Sequence, residues 1–206
     1  VFNGHWYYEL PFGRGKRFAT DNNIVEKVIG GWHISGLFVA SSGLPLCVGT
    51  GGFNLGAPNG NSCAVSTQGS IKQNSVHKNV AGSNGIGTNG NPAAPTFGTG
   101  LNLFSDPEAV FKAFRVPSVS DTVHGRGQLR GLPHWNVDLS FGKKTQVTEQ
   151  IGVVFTFDML NVFNHTEFNN PSVSLTDRPN FGVLTSQWGG TLNGMRRIQF
   201  GLRVEF

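Results

Sequence analysis

The stretch Ile151-Gly152-Val153-Val154-Phe155-Thr156-Phe157-Asp158-Met159-Leu160-Asn161 decides the fold. Ile151, Val153, Phe155, Phe157 and Met159 fall on one side of a period of two, and Gly152, Val154, Thr156, Asp158 and Leu160 fall on the other. An alternating strand of about eleven residues has the length a tilted strand needs to cross a bilayer. Upstream, Trp135, Val137, Leu139 and Phe141 alternate with Asn136, Asp138, Ser140 and Gly142, and a short polar link around Thr145 to Thr148 closes the two runs into a hairpin. Downstream, Ile198, Phe200, Leu202, Val204 and Phe206 alternate with Gln199, Gly201, Arg203 and Glu205.

The N-terminal part repeats the pattern less regularly. Trp6, Tyr8 and Leu10 alternate with His5, Tyr7 and Glu9, and a Pro/Gly/basic turn from Pro11 to Arg17 follows. Trp32, Ile34, Phe38 and Ala40 then share a face that Gly36 weakens without breaking. The expected strands cover residues 2–10, 31–41, 135–144, 150–161 and 196–206. Residues 42–133 are rich in Gly, Asn, Ser and Pro, with one helical hint at Asp106 to Arg115, where Ser105 or Asp106 can cap and Pro107 fits the first turn. That segment is too long for a structureless loop in a compact domain, so it is a functional excursion or partly disordered. A second excursion runs from His165 to Gly194. Short links on one side and long ones on the other are the habit of outer-membrane barrels, with short periplasmic turns and long external loops. The fold class expected is therefore all-β: antiparallel strands of a partial transmembrane barrel, about five of them.

Composition agrees. Gly supplies 29 of the 206 residues, and charged residues make up 14%, against roughly a quarter in soluble globular proteins. No run approaches the length of a transmembrane helix, so membrane contact has to come through strands or an interfacial face. The chain opens on Val1 without a signal segment, as a mature or excised piece would. The net charge of +4 is spread over Arg14, Lys16 and Arg17 and the pairs Lys143/Lys144 and Arg196/Arg197, with no basic stripe or recognised module, which argues against nucleic acid. Cys47 and Cys63 have no CxxC or His-x-x-His neighbours, so a disulfide in an oxidising compartment is favoured over a zinc site.

Several chemical signals fail. Gly85-Ile86-Gly87-Thr88-Asn89-Gly90 fits the dinucleotide fingerprint on paper, but no strand precedes it and Pro92 and Pro95 follow where a helix should open. Phe12 to Lys16 lacks the Walker spacing. No His/Asp/Glu cluster sits beside a nucleophile elbow. His134 and His165 fall at strand ends as interfacial or loop rings, and Asp158 would face a lumen and need a partner such as Arg203. No catalytic residue, cofactor or metal is assigned.

At this point a resemblance enters. Tyr8-Glu9-Leu10-Pro11-Phe12-Gly13, Gly31-Trp32-His33-Ile34-Ser35-Gly36 and Ser42-Gly43-Leu44-Pro45 resemble the barrel of Oar-like TonB-dependent receptors, abundant in acidobacteria. So do Gly125-Arg126-Gly127 through Leu129-Arg130-Gly131, Trp135-Asn136-Val137-Asp138-Leu139-Ser140, Phe157-Asp158 through Asn161-Val162-Phe163-Asn164-His165, Phe181-Gly182 and Gln199-Phe200-Gly201-Leu202-Arg203. The resemblance implies a large barrel, normally of about twenty-two strands around a plug, with a segment that contacts TonB. The partners implied are outer-membrane lipid, the remainder of barrel and plug in a parent chain, and the TonB system through that parent.

From these readings Trp135, Phe141, Phe155, Phe157, Phe200 and Val204 are expected to face lipid, and Asn136, Asp138, Gln199, Arg203 and Glu205 the lumen. Gln199, Gly201, Val204 and Phe206 match the pattern in which barrels end: polar residue, Gly, hydrophobic residue and terminal aromatic. Such a strand can add to the assembly machinery through its unpaired edge before it meets its own neighbour. The runner-up is a soluble secreted β-sandwich, an adhesin or carbohydrate-binding module, because a sandwich strand alternates in the same way.

Overall fold

The computed structural model describes residues 1–18, 22–51, 63–69, 71, 75–88, 98–118, 120–121, 127–188 and 194–206. In chain order the elements are β1 (Phe2–Glu9), α1 (Asn23–Ile29), β2 (Trp32–Ser41), β3 (Pro45–Leu46), β4 (Val65–Ser66), β5 (His77–Ala81), β6 (Thr99–Asn102), α2 (Pro107–Lys112), β7 (Phe114–Arg115), β8 (Leu129–Arg130), β9 (His134–Gln146), β10 (Gly152–Leu160) and β11 (Arg197–Glu205). The five long strands lie within a residue or two of the alternating runs. Gly125 and Arg126 of the quoted motifs, and Asn89 and Gly90 of the glycine run, lie outside the described residues.

Two units emerge: Val1–Ser41 with Trp135–Thr166 and Thr191–Phe206, and Ser42–His134 with Glu167–Gly190. The first holds an antiparallel meander in the order β1-β2-β9-β10-β11. Its register carries the apolar pattern from strand to strand: Trp6 lies opposite Gly36, Phe157 opposite both Phe141 and Phe200, and Val153 opposite Val204. A Cβ on Gly36 would sit 2.1 Å from the Trp6 ring, so the glycine that weakens the stripe in sequence makes room for an aromatic that refills it. The sheet does not close, and among the described residues β1 and β11 each have one neighbour.

Connections at the two ends differ in kind. At one end Val147 N donates to Ile151 O (2.9 Å) and closes the short turn between β9 and β10. The link from β1 to β2 lies at the same end and carries α1, which Asn22 caps by accepting from Ile24 N and Val25 N. The long connections leave from the other end, after Ser41 and after Leu160. The second begins with a tight turn in which Asn161 (φ 52°) and Asn164 (φ 50°) take the left-handed conformation that asparagine tolerates. Asn161 accepts from His165 N (2.8 Å) and donates to Gly194 O (3.2 Å), while Asn164 accepts from Arg196 N (3.0 Å), so this turn also sets the start of β11.

The second unit holds the buried core: Val48, Ala64, Leu103, Phe104, Phe114, Leu129, Leu132, Val173, Phe181 and Leu184. Both long connections contribute to it. Its strands pair as three two-stranded pieces, β3-β8, β4-β7 and β5-β6. Asn102, fully buried, donates to Ser83 Oγ (3.0 Å) and Phe181 O (3.1 Å) and accepts from Phe104 N (2.9 Å), so its amide is satisfied inside the core. Helix α2 starts where the sequence suggests, with Asp106 accepting from Ala109 N and Pro107 in the first turn. The excursion read as functional or partly disordered thus has, in its described residues, a folded interior.

Candidate membrane-facing wall

Alternation sets the chemistry of the sheet's two faces. On one face Phe141, Phe157 and Phe200 form a row across β9, β10 and β11, with ring centroids 6.1 and 5.0 Å apart, and Phe155 lies 6.4 Å from Phe200. Trp135 has the same parity and stacks on His165 at 4.2 Å, with Phe163 at 6.0 Å. Val204 belongs to this face opposite Val153. None of these side chains is fully buried: Trp135, Phe141, Phe155 and Phe157 are half-buried among their strand neighbours, and on the edge strand Phe200 is 68% exposed and Leu202 73%. A contiguous apolar face of this width marks a surface that meets a partner or a membrane.

The other face is polar and internally bonded. Asn136 Nδ2 donates to Asp138 Oδ1 (2.8 Å), which also accepts from Asn161 N (2.8 Å). Ser140 Oγ donates to Asp158. Arg203 is therefore not the partner of Asp158: the register sets Arg203 opposite Val154 and Asp158 opposite Gln199. Arg203 instead donates to Glu205 (2.6 Å), which also accepts from Lys144 Nζ (2.8 Å). The carboxylate thus sits between two cations. This triad was missed in sequence, although the i, i+2 spacing of Arg203 and Glu205 puts them on one face of a strand.

Of the four terminal positions, Gln199 and Gly201 lie opposite Asp158 and Thr156, on the polar face. A Cβ on Gly201 would come within 2.4 Å of Thr156 Oγ1, so a larger residue would force that hydroxyl to another rotamer. Val204 lies on the apolar face, and Phe206 follows the strand fully exposed. Strand β11 forms an edge of the sheet.

In the second unit Cys47 and Cys63 are disulfide-bonded, with Cα atoms 5.1 Å apart. His134 packs against Trp188 at 4.6 Å and approaches Glu167 at 3.6 Å. Glu108 receives Arg178 Nε (2.8 Å) and Lys112 (3.0 Å), and these cations, Arg178 foremost, hold its carboxyl below the usual glutamate range. Asp121 is held well below the aspartate range by Arg115, helped by Ser118 N. The Glu108 pairs are exposed on both sides, and such pairs add little to stability. Among the described residues no group of three or more His, Cys, Asp or Glu is placed to hold a metal. None of the described helices is long and apolar enough to cross a membrane.

A sheet with one bare apolar face, one bonded polar face and long connections at one end has the local anatomy of a barrel wall. A family model described as an outer membrane beta barrel domain matches residues 1–199. The chain belongs to that family. Membership places this outer-membrane barrel domain in the bacterial outer membrane and explains an open sheet as part of a larger wall. It also replaces the secreted sandwich. No curated protein and no solved structure gives a significant match to the barrel domain.

Proposed function

We propose that the barrel domain is the closing segment of a TonB-dependent receptor of the Oar-like type. In this reading it supplies wall, external loops and last strand to energised uptake by its parent chain. The observation that carries it is the antiparallel sheet with one apolar and one polar face and long connections at one end, in a chain that carries the quoted motifs and, on β11, the Gln199, Gly201, Val204, Phe206 pattern. The quoted motifs support the receptor type. Lipid is the partner of the apolar face, and the polar face turns to the lumen, where the rest of the barrel and a plug complete the body. The barrel-assembly machinery engages the free edge of β11 by strand addition. No bond-making chemistry, cofactor or nucleic acid is assigned to the domain.

Two measurements on the full-length parent test this. Deleting Phe206, or changing Phe206→Asp, is expected to lower the amount of correctly assembled protein in the outer membrane, and undiminished assembly would remove the assembly-signal role. Photocrosslinking in cells is expected to join the parent to TonB. If no crosslink forms while assembly is normal, the receptor type falls and the barrel family stands.

A further inference from the structure

The link between β1 and β2 carries a feature that the wall does not use. Helix α1 has seven residues, too few to be stable alone in water. Its C-terminal carbonyls are received by three side chains of the sheet. Trp32 Nε1 donates to Val28 O (3.0 Å), Lys143 Nζ to Val28 O (2.9 Å) and Gly30 O (2.6 Å), and Thr145 Oγ1 to Lys27 O (3.5 Å). The Lys143 ammonium also suits the negative end of the helix.

All three receivers lie on the apolar face. Thr145 pairs with Val153, Lys143 with Phe155, and the Lys143 ammonium sits 5.0 Å over the Trp32 ring. Helix α1 is thus held on the lipid side of the sheet, at the short-turn end. There it turns two aliphatic side chains outward, Ile24 at 76% exposure and Val28 at 62%, on the same helical face. The preceding turn adds Arg14 and Arg17, with Arg17 over the Phe18 ring at 5.7 Å and Arg14 bonded to Asn23 Oδ1 (2.6 Å). Exposed aliphatics beside guanidinium groups at the rim of a membrane wall suit one solvent, the boundary between acyl chains and phosphate headgroups.

We infer that α1 is an interfacial anchor: Ile24 and Val28 sit among acyl chains of the phospholipid leaflet on the periplasmic side, and Arg14 and Arg17 meet anionic headgroups. The inference rests on the wall and on the short-turn end facing the periplasm. It does not depend on TonB coupling.

The test is nitroxide labelling of single-cysteine variants of the full-length parent, left oxidised so that Cys47–Cys63 stays closed, in nanodiscs of phosphatidylethanolamine with phosphatidylglycerol. Labels at Ile24→Cys and Val28→Cys are expected to be relaxed more by oxygen than by a water-soluble nickel chelate, as at Phe155→Cys, with the ratio inverted at Glu149→Cys in the turn. More phosphatidylglycerol is expected to lower nickel access at Ile24→Cys, and Arg14→Gln with Arg17→Gln to abolish that shift. Nickel access at Ile24→Cys equal to that at Glu149→Cys, with Phe155→Cys still in lipid, overturns the anchor and leaves the wall intact. A water-accessible Phe155→Cys overturns the wall itself. Shielding of Ile24→Cys from both reagents in whole envelopes, but not in nanodiscs, would assign the site to a protein partner and also overturn the anchor.

Discussion

Phe104 and Phe200 are the same residue with opposite fates. Phe104 is 0% exposed, stacked on Phe181 at 5.4 Å, in the unit built from the two long connections. Phe200 is 68% exposed on the last strand of the sheet. The contrast is general: every buried apolar residue among those described lies in the second unit, whereas the sheet's large apolar side chains are half-buried or exposed. One region hides its apolar surface from water in its own interior, and the other, in the function proposed above, presents it to a solvent that is itself apolar. The hydrophobic effect operates in both, but only the first is complete without a membrane.

The largest way to break this contrast is Phe104→Ala, which removes a fully buried ring. It is expected to destabilise the second unit by about 3 to 5 kcal/mol. Protease should then cut residues 42–134 of the full-length parent, while the strands remain protected in the outer membrane. Loss of the whole protein from the membrane would show that the sheet needs that unit to assemble.

Phe155→Arg probes the other region and is expected to cost roughly 2 to 4 kcal/mol near the bilayer midplane. Thr156→Arg, one residue away on the polar face, should cost much less in refolding titrations with lipid. Equal tolerance at both positions would mean that neither face meets lipid. Cys63→Ser returns to the second unit, where opening a loop of this size costs about 3 kcal/mol on the chain-entropy estimate. The denaturant midpoint of loop unfolding should fall, and sheet assembly should not change.

The smallest effect is electrostatic. Arg115 and Ser118 N hold Asp121 below the ordinary aspartate value of 3.8. A depressed carboxyl contributes stability above its unfolded value and loses it as pH falls through the folded one. Arg115→Gln should therefore move the Asp121 titration up toward the ordinary range, read by carboxyl NMR. An unmoved titration would show that the pair does not form in solution.

The sheet is legible because a strand with one apolar side writes a period of two into the chain, and the period holds from Trp135 to Phe141 in β9, along β10 and along β11. The glycine at 36 looks like a weakness in sequence because the partner that needs the space, Trp6, lies on another strand. The polar partners are less legible: Asp158 is bonded to Ser140 and not to Arg203, because register cannot be read from a single strand. Helix α1 was missed although its signals are present: Asn22 as cap, Ile24, Val25, Val28 and Ile29 at helical spacing, and Gly30-Gly31 as a stop. The interior of the second unit was not legible at all. Its ten core residues are scattered from Val48 to Leu184, and strands of two to five residues are too short to show a period.

That shared interior has a consequence for descent. Val173, Phe181 and Leu184 come from the second connection, and the other core residues come from the first. External loops of barrels ordinarily drift in length and sequence independently of each other. Here a deletion in either connection would leave unmatched apolar residues in the other, so the two segments are expected to vary together. Across homologues, changes in volume at Phe104 should be answered at Phe181, and exchange of one loop between lineages should fail unless the other travels with it.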